Sequence, residues 1–306
     1  MDKWLVTGAA GFLGVNAGLW LKDRVETAGQ TRNFRNPKNY DTEISLDLRD
    51  SGAIEKMVED FSPNVILHAA AISGHETCAN DPTQAHEVNV EATRVLSAAA
   101  AEIGARFIYV STDALFSGET GHYSETDPTQ PFSLYGETKL LGENEVLASG
   151  ASAFCVRTNF FGWSAQADRS VLEFFVNSMR AGRPIQGYPD FIVTSIYVQS
   201  LLRNIWELNE TGYEGVVNVA SADAVSKYDF GLAIAKEFGL DGSLIAPAPS
   251  SSGVLQTSRS RDLSLDTGLL ETLLEKKVQT QAEGIYQARV DEATLAVQLR
   301  GELHES

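Results

Sequence analysis

The feature that most constrains the fold is a glycine-rich turn near the start of the sequence. An apolar run, Trp4-Leu5-Val6, leads into Gly8, Gly11 and Gly14, and a helical pattern covers Phe12–Leu21. Three glycines so placed allow a tight turn, close approach of a ligand to the backbone, and close packing of helix on strand. The N–H groups that begin the helix favour bound phosphate. The turn therefore predicts a dinucleotide site formed by Gly8, Ala10, Gly11, Phe12, Leu13 and Gly14.

Short apolar runs alternate with helical patterns through the first half of the chain. The runs Val65-Ile66-Leu67, Phe107-Ile108-Tyr109-Val110 and Phe154-Cys155-Val156 are apolar on both faces, which is typical of parallel strands covered by helices. Helical patterns follow the first two runs, at about residues 84–103 and 132–147. This alternation predicts an α/β fold, a Rossmann-type doubly wound parallel sheet with right-handed crossovers.

The second half of the chain is less regular. Its helical and strand-like patterns lie at Val171–Arg180, Val198–Leu208, Val216–Val219, Lys227–Phe238, Leu244-Ile245 and Leu269–Leu274. We expect residues 1–158 to form a dinucleotide-binding domain, to which segments at about 190–220 return. Residues 159–306 are expected to form mainly a smaller, C-terminal α/β domain that binds the substrate.

The composition argues against several classes of protein. The 306 residues include 24 Lys and Arg against 41 Asp and Glu, a formal net charge of −17, so nucleic acid and membrane surfaces are poor partners. Cys78 and Cys155 form neither a disulfide framework nor a metal-ligand spacing, so no metal site is predicted. No apolar run approaches the length of a transmembrane helix. The expected compartment is the reducing cytoplasm.

A strand end rich in hydroxyls and a Tyr/Lys pair supply candidate catalytic groups. Tyr135 and Lys139 lie four apart in a helical pattern and so share a face. A nearby ammonium favours the phenolate, so we expect the pKa of Tyr135 to lie below its usual value of about 10. Such a tyrosine exchanges a proton with a carbonyl oxygen as a hydride is transferred. Ser111 and Thr112 follow the Phe107–Val110 strand, where either hydroxyl is placed to bind the same oxygen.

These motifs occur in the order found in one enzyme family. The Gly-x-x-Gly-x-x-Gly turn, the strand-end hydroxyls and the Tyr135/Lys139 helix together resemble the extended short-chain dehydrogenases/reductases. The resemblance implies that Thr112, Tyr135 and Lys139 are catalytic, and that Tyr135 and Lys139 also contact the cofactor. It further implies cofactor contacts from Asp47, Leu48, Ala69, Ala70, Ala71 and Asn89. His68, at the end of the Val65–Leu67 run, is expected to be a packed histidine with a satisfied ring.

The segment after the first helix bears on the choice of cofactor. NAD sites usually present an acidic residue to the adenosine ribose, and none ends the segment Val25–Arg35. Three basic residues, Arg32, Arg35 and Lys38, follow closely in the sequence, although the chain as a whole is acidic. A guanidinium pairs well with a 2′-phosphate. The segment therefore favours NADP(H) as the cofactor, with NAD(H) as the alternative. A basic loop that is exposed to solvent and binds no phosphate is the structural interpretation of the same residues.

Three segments narrow the resemblance to one branch. Ser111–Gly118, Tyr135–Glu143 and Arg259–Thr267 are similar to the dTDP-4-dehydrorhamnose reductases. The similarity implies NAD(P)H-dependent reduction of a 4-keto group on a nucleotide-linked sugar, with substrate contacts from Thr112, Asp113, Asn159 and Arg259. The chain departs from this branch at Ser260, at Ala114-Leu115 and in the loop Gly74–Pro82, and these departures leave the sugar open.

Other members of the family supply the alternatives. Sugar-nucleotide 4,6-dehydratases carry Asp-Glu after the threonine, whereas here Asp113 is followed by Ala114. Sugar-nucleotide epimerases normally hold NAD with an acidic strand end, which is missing, although an epimerase stays an alternative. The regulatory subunit of methionine adenosyltransferase resembles the same branch and acts by binding a partner. The partner expected here is a nucleotide-sugar substrate, and a homodimer is one assembly that the sequence allows.

Overall fold

A computed structural model of the chain describes residues 1–33, 39–167, 169–252 and 262–301. These residues divide into two compact units. Unit 1 comprises Met1–Leu115, Ser133–Arg157 and Gly212–Val217. Unit 2 comprises Phe116–Phe132, Thr158–Thr211 and the described residues from Asn218 onward.

Strands and helices alternate through the first half, as the sequence predicts. In chain order they are β1 (Lys3–Thr7), α1 (Phe12–Leu21), β2 (Glu26–Thr31), β3 (Thr42–Ser45), α2 (Ser51–Phe61), β4 (Val65–His68), α3 (His75–Asn80), α4 (Pro82–His86), α5 (Ala92–Ile103), β5 (Arg106–Val110), α6 (Leu134–Ala148) and β6 (Ala153–Arg157). A π-helical segment, Glu87–Glu91, joins α4 to α5, so the helix predicted at about 84–103 is interrupted rather than regular.

The second half consists of shorter strands and further helices. They are β7 (Phe160–Phe161), α7 (Val171–Arg180), β8 (Ile185–Gly187), β9 (Ile192–Val193), β10 (Ile196–Tyr197), α8 (Val198–Thr211), β11 (Gly215–Asn218), β12 (Val225–Ser226), α9 (Lys227–Phe238), β13 (Ile245–Pro247), α10 (Gly268–Leu274), α11 (Gln281–Asp291) and α12 (Val297–Arg300). The helices predicted at Val171–Arg180 and Lys227–Phe238 have the predicted bounds.

The central sheet has seven strands in the order β11-β6-β5-β4-β1-β2-β3. The pairings from β6 through β3 are all parallel, with Leu5 opposite Ile66 and Ile66 opposite Phe107. The predicted Rossmann-type doubly wound sheet is therefore confirmed. The strand order reverses between β1 and β4, and open α/β sheets bind ligands at the carboxyl ends of strands beside such a point.

A hydrophobic core covers one face of the sheet. It is built from strand residues such as Leu5, Ile66 and Phe107 together with apolar side chains of α2 and α5. Full burial of one such side chain contributes roughly 1.5–3 kcal/mol to the stability of the folded state. This core fixes α5 and the strands as one rigid support for the residues at the strand ends.

Helix α1 begins at the glycine-rich turn and packs closely on it. Gly8 has a φ of +71° in the left-handed region, and the Gly11 N–H donates to the Gly8 carbonyl oxygen at 2.8 Å. A Cβ on Gly14 would lie 2.7 Å from the Ala9 Cα and closer still to the Gly8 carbonyl oxygen. The turn therefore tolerates no side chain at Gly14.

Within residues 1–33, 39–167, 169–252 and 262–301, no helix combines the length and the apolar character that crossing a bilayer requires.

The tight packing at Gly14 yields a stability prediction. We expect Gly14→Ala to lower the free energy of unfolding by about 2 kcal/mol or more, because the atoms that its Cβ would meet are backbone. Gly52→Ala is the control, since the atom nearest to its Cβ is 3.7 Å away. Gly52 lies in the first turn of α2, so Gly52→Ala should leave the free energy of unfolding unchanged or raise it by up to about 1 kcal/mol. Urea denaturation followed by circular dichroism compares the two variants, and equal effects would contradict the prediction.

Candidate functional site

A cavity of about 300 Å³ lies in unit 1 beside the glycine-rich turn. Its lining consists of Gly8, Ala10, Gly11, Gln30, Thr31, Arg32, Asp47, Leu48, Ala69, Ala70, Ala71, Ile72 and Val88. All of these except Gln30, Thr31, Ile72 and Val88 are residues that the sequence predicts to bind the cofactor. The structure therefore brings most of the predicted set around one cavity, while Arg35 lies outside the described residues.

The walls of this cavity fit a dinucleotide pyrophosphate. A Cβ on Gly8 would lie 2.8 Å from the Ala70 Cα, so β4 and the turn approach each other at backbone distance. Gly11 is the N-cap of α1 and provides no side chain to cap the first turn, which contains Phe12, Leu13 and Gly14. The N–H groups of that turn thus keep the arrangement that binds phosphate at helix starts.

Gln30 forms part of the cavity wall, although no sequence pattern indicated it. Its Oε1 accepts from the Gly8 N–H at 3.4 Å, and its Nε2 donates to the Leu46 carbonyl at 2.7 Å. The Gln30 carbonyl also accepts from the Ala9 N–H at 2.8 Å. A neutral, buried amide thus braces the glycine-rich turn from β2, and the exposed Arg32 follows at the rim.

Asp47 lies in the cavity lining but is already paired. The Arg49 guanidinium donates to it from Nε at 3.1 Å and from Nη2 at 2.7 Å. This hydrogen bonding lowers the pKa of Asp47 to about 2, and the nearby charge of Arg32 acts in the same direction. Asp47 is therefore an ionised acceptor at the cavity, and Arg49 is a partner that the sequence analysis did not identify.

Helix α6 carries the Tyr/Lys pair. The Ser133 hydroxyl caps the helix by accepting from the Gly136 N–H at 3.2 Å. Burial raises the pKa of Tyr135 to about 12, and the hydroxyl of Thr112 lowers it in part. The expectation that the pKa of Tyr135 lies below 10 is therefore wrong for the protein without ligand. A phenol held protonated in this way is a proton donor, which is the form that ketone reduction needs.

Lys139 is only 2% exposed and lies one turn further along α6. Its Nζ is 3.9 Å from the centre of the Tyr109 ring, and the Tyr109 hydroxyl donates to the Lys139 carbonyl at 3.3 Å. Burial lowers the pKa of Lys139 to about 7, while the negative charge of Glu143 opposes this shift. Arg157 in turn pairs with the buried Glu143, with Nη2 and Oε2 2.9 Å apart.

Thr112 and Asp113 follow β5 directly, and both are buried. The Thr112 hydroxyl donates to Asp113 Oδ1 at 3.2 Å and accepts from the Ala114 N–H at 3.2 Å. The Ser111 Oγ is buried and hydrogen-bonds to no described residue. Thr112, rather than Ser111, is the strand-end hydroxyl that acts on Tyr135.

Asn89 lies in the π-helical segment and links two parts of the site. Its Oδ1 accepts from the Ile72 N–H at 2.8 Å, and its Nδ2 donates to the Ile72 carbonyl at 3.1 Å. The same Nδ2 donates to Thr138 Oγ1 at 2.9 Å, and that hydroxyl donates to the Tyr135 carbonyl at 2.9 Å. Asn89 thus fixes both the cavity wall at Ile72 and the helical turn that carries Tyr135.

His68 ends β4 with both ring nitrogens engaged. Its Nδ1 lies 2.6 Å from Thr7 Oγ1, and its Nε2 lies 2.9 Å from Thr93 Oγ1. Burial lowers the pKa of His68 to about 3, with the charge of Lys139 as a second cause. The neutral ring ties β1 to α5, as expected for a packed histidine.

The structure describes one of the two remaining predicted substrate contacts. Asn159 belongs to unit 2, where its Oδ1 accepts from the Ser195 hydroxyl at 2.7 Å. Arg259 lies outside the described residues. Among the described residues, the acidic, histidine and cysteine side chains nowhere cluster in a group that could hold a metal ion.

Unit 2 contains a second cavity, of about 250 Å³. Aromatic side chains and one lysine dominate its lining, which consists of Val171, Phe174, Phe175, Gln186, Tyr188, Phe191, Lys227 and Ser250. Planar aromatic walls with a cation are suited to stack on and neutralise a planar anionic ligand.

The depressed pKa of Lys139 makes its replacement a test of the site's electrostatics. Below pH about 7 both the native and the unfolded chain carry the ammonium, so the full cost of burying it is present. As the pH rises from about 7 to about 10.5, only the unfolded chain stays charged, and the cost shrinks. We expect Lys139→Met to raise the Tm of the ligand-free protein, and to raise it more at about pH 6 than at about pH 9.

The control for this experiment is Lys56→Met, at an exposed position on α2. It should leave the Tm unchanged at both pH values. Differential scanning calorimetry gives both measurements, and a Tm gain for Lys139→Met that did not depend on pH would contradict a pKa near 7.

Comparisons with known proteins agree with this geometry. The family model described as RmlD substrate binding domain matches residues 2–293. Methionine adenosyltransferase 2 subunit beta from Pongo abelii is 31% identical over 280 residues, covering 88% of this chain and 81% of that protein. The probable low-salt glycan biosynthesis reductase Agl14 from Haloferax volcanii is 28% identical over 272 residues, covering 87% of this chain and 90% of that protein.

A solved structure shares the whole fold. The dTDP-4-dehydrorhamnose reductase from Bacillus anthracis, in complex with NADP, superposes with a TM-score of 0.82 at 21% identity, covering 95% of this chain and 99% of that chain. With the family model matched over nearly the full length, the chain belongs to the RmlD-like family of extended short-chain dehydrogenases/reductases.

Proposed function

We propose that this protein is an NAD(P)H-dependent reductase of a 4-keto group on a nucleotide-linked sugar. The observation that carries the proposal is the joint presence, in unit 1, of the glycine-walled cavity and of Thr112, Tyr135 and Lys139. Family membership supports the coarser statement of an NAD(P)-dependent oxidoreductase. The residues around the cavity favour an anionic dinucleotide, and the Thr/Tyr/Lys set favours carbonyl chemistry.

The proposed mechanism assigns one task to each group. A nicotinamide cofactor, when bound, would be the source of the hydride that the carbonyl carbon needs. The Tyr135 phenol donates its proton to the carbonyl oxygen, and the Thr112 hydroxyl donates a hydrogen bond to the same oxygen. Lys139, when protonated, stabilises the resulting phenolate and binds the cofactor ribose. The first turn of α1 holds the pyrophosphate through its N–H groups.

NADP(H) is the cofactor that the rim of the cavity favours. Gln30 is neutral and braces the turn, and Arg32 is exposed where β2 ends. A guanidinium at this place attracts a 2′-phosphate. We assign the same task to Arg35. The Bacillus anthracis reductase of the same fold is in complex with NADP. NAD(H) remains the alternative cofactor.

The contacts to the nucleotide-linked substrate are proposed from the resemblance to the dTDP-4-dehydrorhamnose reductases. Thr112 and Asp113 are proposed to contact the sugar, together with Asn159 and Arg259. The aromatic cavity of unit 2, taken by itself, has a lining suited to a planar anionic group. We accordingly propose that residues 1–158 bind mainly the dinucleotide and residues 159–306 mainly the substrate.

A second candidate function is a cofactor-binding regulatory subunit. Its support is the 31% identity to methionine adenosyltransferase 2 subunit beta over most of both chains. The two candidates differ in turnover. A reductase consumes NADPH in the presence of a nucleotide-linked 4-keto sugar, whereas a regulatory subunit binds the cofactor without turnover and co-purifies with a catalytic partner.

The first prediction of the reductase proposal concerns Tyr135. We expect Tyr135→Phe to lower kcat by roughly 10²–10⁴-fold, the loss typical of a removed general acid. The affinity for NADPH should change little. The control is Tyr286→Phe, since Tyr286 is 52% exposed on α11. NADPH consumption followed at 340 nm with a dTDP-4-keto sugar gives kcat, and near-normal turnover of Tyr135→Phe would rule out the assignment.

The second prediction concerns the choice of cofactor. We expect Arg32→Gln to weaken NADPH binding by about 10- to 100-fold, the equivalent of one lost charge-assisted hydrogen bond. Binding of NADH should change less than about threefold. Arg24→Gln, at an exposed arginine after α1, is the matched control. Calorimetric titration gives both constants, and a parallel loss for the two cofactors would contradict phosphate recognition by Arg32.

A further inference from the structure

Hydrogen bonds to the backbone of Ile72 hold the loop that leads from the cavity to α3. The Ile72 N–H donates to Asn89 Oδ1, and the Ile72 carbonyl accepts from Asn89 Nδ2 and, at 3.2 Å, from the Cys78 thiol. Three hydrogen bonds thus fix the backbone just before His75. In this segment the sequence departs from the dTDP-4-dehydrorhamnose reductases. Neither cofactor binding nor the chemistry of Thr112, Tyr135 and Lys139 explains the departure.

His75 begins α3 and lies against the candidate proton donor. Its ring packs edge-on to the Tyr135 ring, with the centroids 5.4 Å apart and the planes at 72°. Edge-to-face packing at this separation is a favourable arrangement of two aromatic rings. The imidazole therefore forms one side of the surroundings of the Tyr135 side chain.

The same asparagine is linked to the backbone near both partners of this contact. Asn89 holds Ile72 on the His75 side and, through Thr138, holds the backbone of Tyr135 on the other. The backbone on both sides of the His75–Tyr135 contact is therefore tied to one residue. The Thr112 hydroxyl acts on the phenolic oxygen of Tyr135, whereas the His75 ring contacts the Tyr135 ring itself.

We propose that His75 is a positioning residue whose ring holds the Tyr135 phenol in the orientation for proton donation. The proposal rests on the proposed reductase function. The contact acts through ring shape, so an apolar aromatic ring of similar width preserves it. Loss of the ring frees the phenol to rotate, and a misplacement of about 1 Å is enough to slow an enzymatic step up to about 10²-fold.

The kinetic test compares two substitutions at one position. We expect His75→Ala to lower kcat by about tenfold, with KM for the keto sugar and the NADPH affinity changed less than about twofold. His75→Phe should restore kcat to within about threefold of the unchanged protein. His86→Ala, at an exposed histidine of α4, is the control and should be neutral. Circular dichroism confirms that each variant is folded.

Two kinetic outcomes would overturn the proposal. Full activity of His75→Ala would show that Tyr135 needs no support from this ring. Equal loss in His75→Phe and His75→Ala would assign the effect to the polar imidazole instead of to its shape.

A second readout does not depend on activity. The ring current of Tyr135 shifts the Hε1 resonance of His75, which is recognised among the five histidines by its loss in His75→Phe. Tyr135→Leu should move this resonance, and Tyr286→Phe should not. An unmoved resonance would disprove the contact. If the unchanged protein turned over no keto sugar, the reductase function and the positioning role would both fall, while the resonance would still report the contact.

Discussion

The site depends on one close approach of backbone to backbone. Gly14 packs on the Gly8 carbonyl, and Gly8 packs on Ala70, at distances that leave no room for a Cβ. These contacts bring the start of α1 to the carboxyl ends of β1 and β4 at the point where the strand order reverses. If the helix were displaced by the width of one methyl group, its N–H groups would no longer point into the cavity that the strands enclose.

Burial shifts the pKa values of Tyr135 and Lys139, both on α6, in opposite directions. It raises the pKa of Tyr135 to about 12 and lowers that of Lys139 to about 7. In both cases the charged form is the one disfavoured, as a low dielectric requires. The Thr112 hydroxyl and the Glu143 carboxylate each oppose the shift on their neighbour. The ligand-free site thus favours a protonated phenol beside an amine that titrates near neutral pH, and the protonated phenol is the form that the proposed reduction needs.

Sequence patterns predicted the parts of this protein that depend on local spacing. The glycine-rich turn, the bounds of α1 and the parallel sheet follow from residue order alone. Helix α2 was missed, although its buried residues Ile54, Met57, Val58 and Phe61 have helical spacing. The roles of Gln30 and His75 depend on partners distant in the sequence, so spacing could not indicate them. The pKa of Tyr135 was misjudged because a motif gives the identity of neighbours and not the depth of burial.

The π-helical segment Glu87–Glu91 has a consequence for how this family can vary in length. A π-turn holds one more residue than a regular α-turn, and such insertions are frequent at functional sites. Deletion of a single residue here would let α4 and α5 merge into one regular helix. It would also rotate Asn89 by about 100°, the step of one residue in a helix of 3.6 residues per turn. The chain should therefore accept insertions and deletions in exposed loops far more readily than in this buried turn.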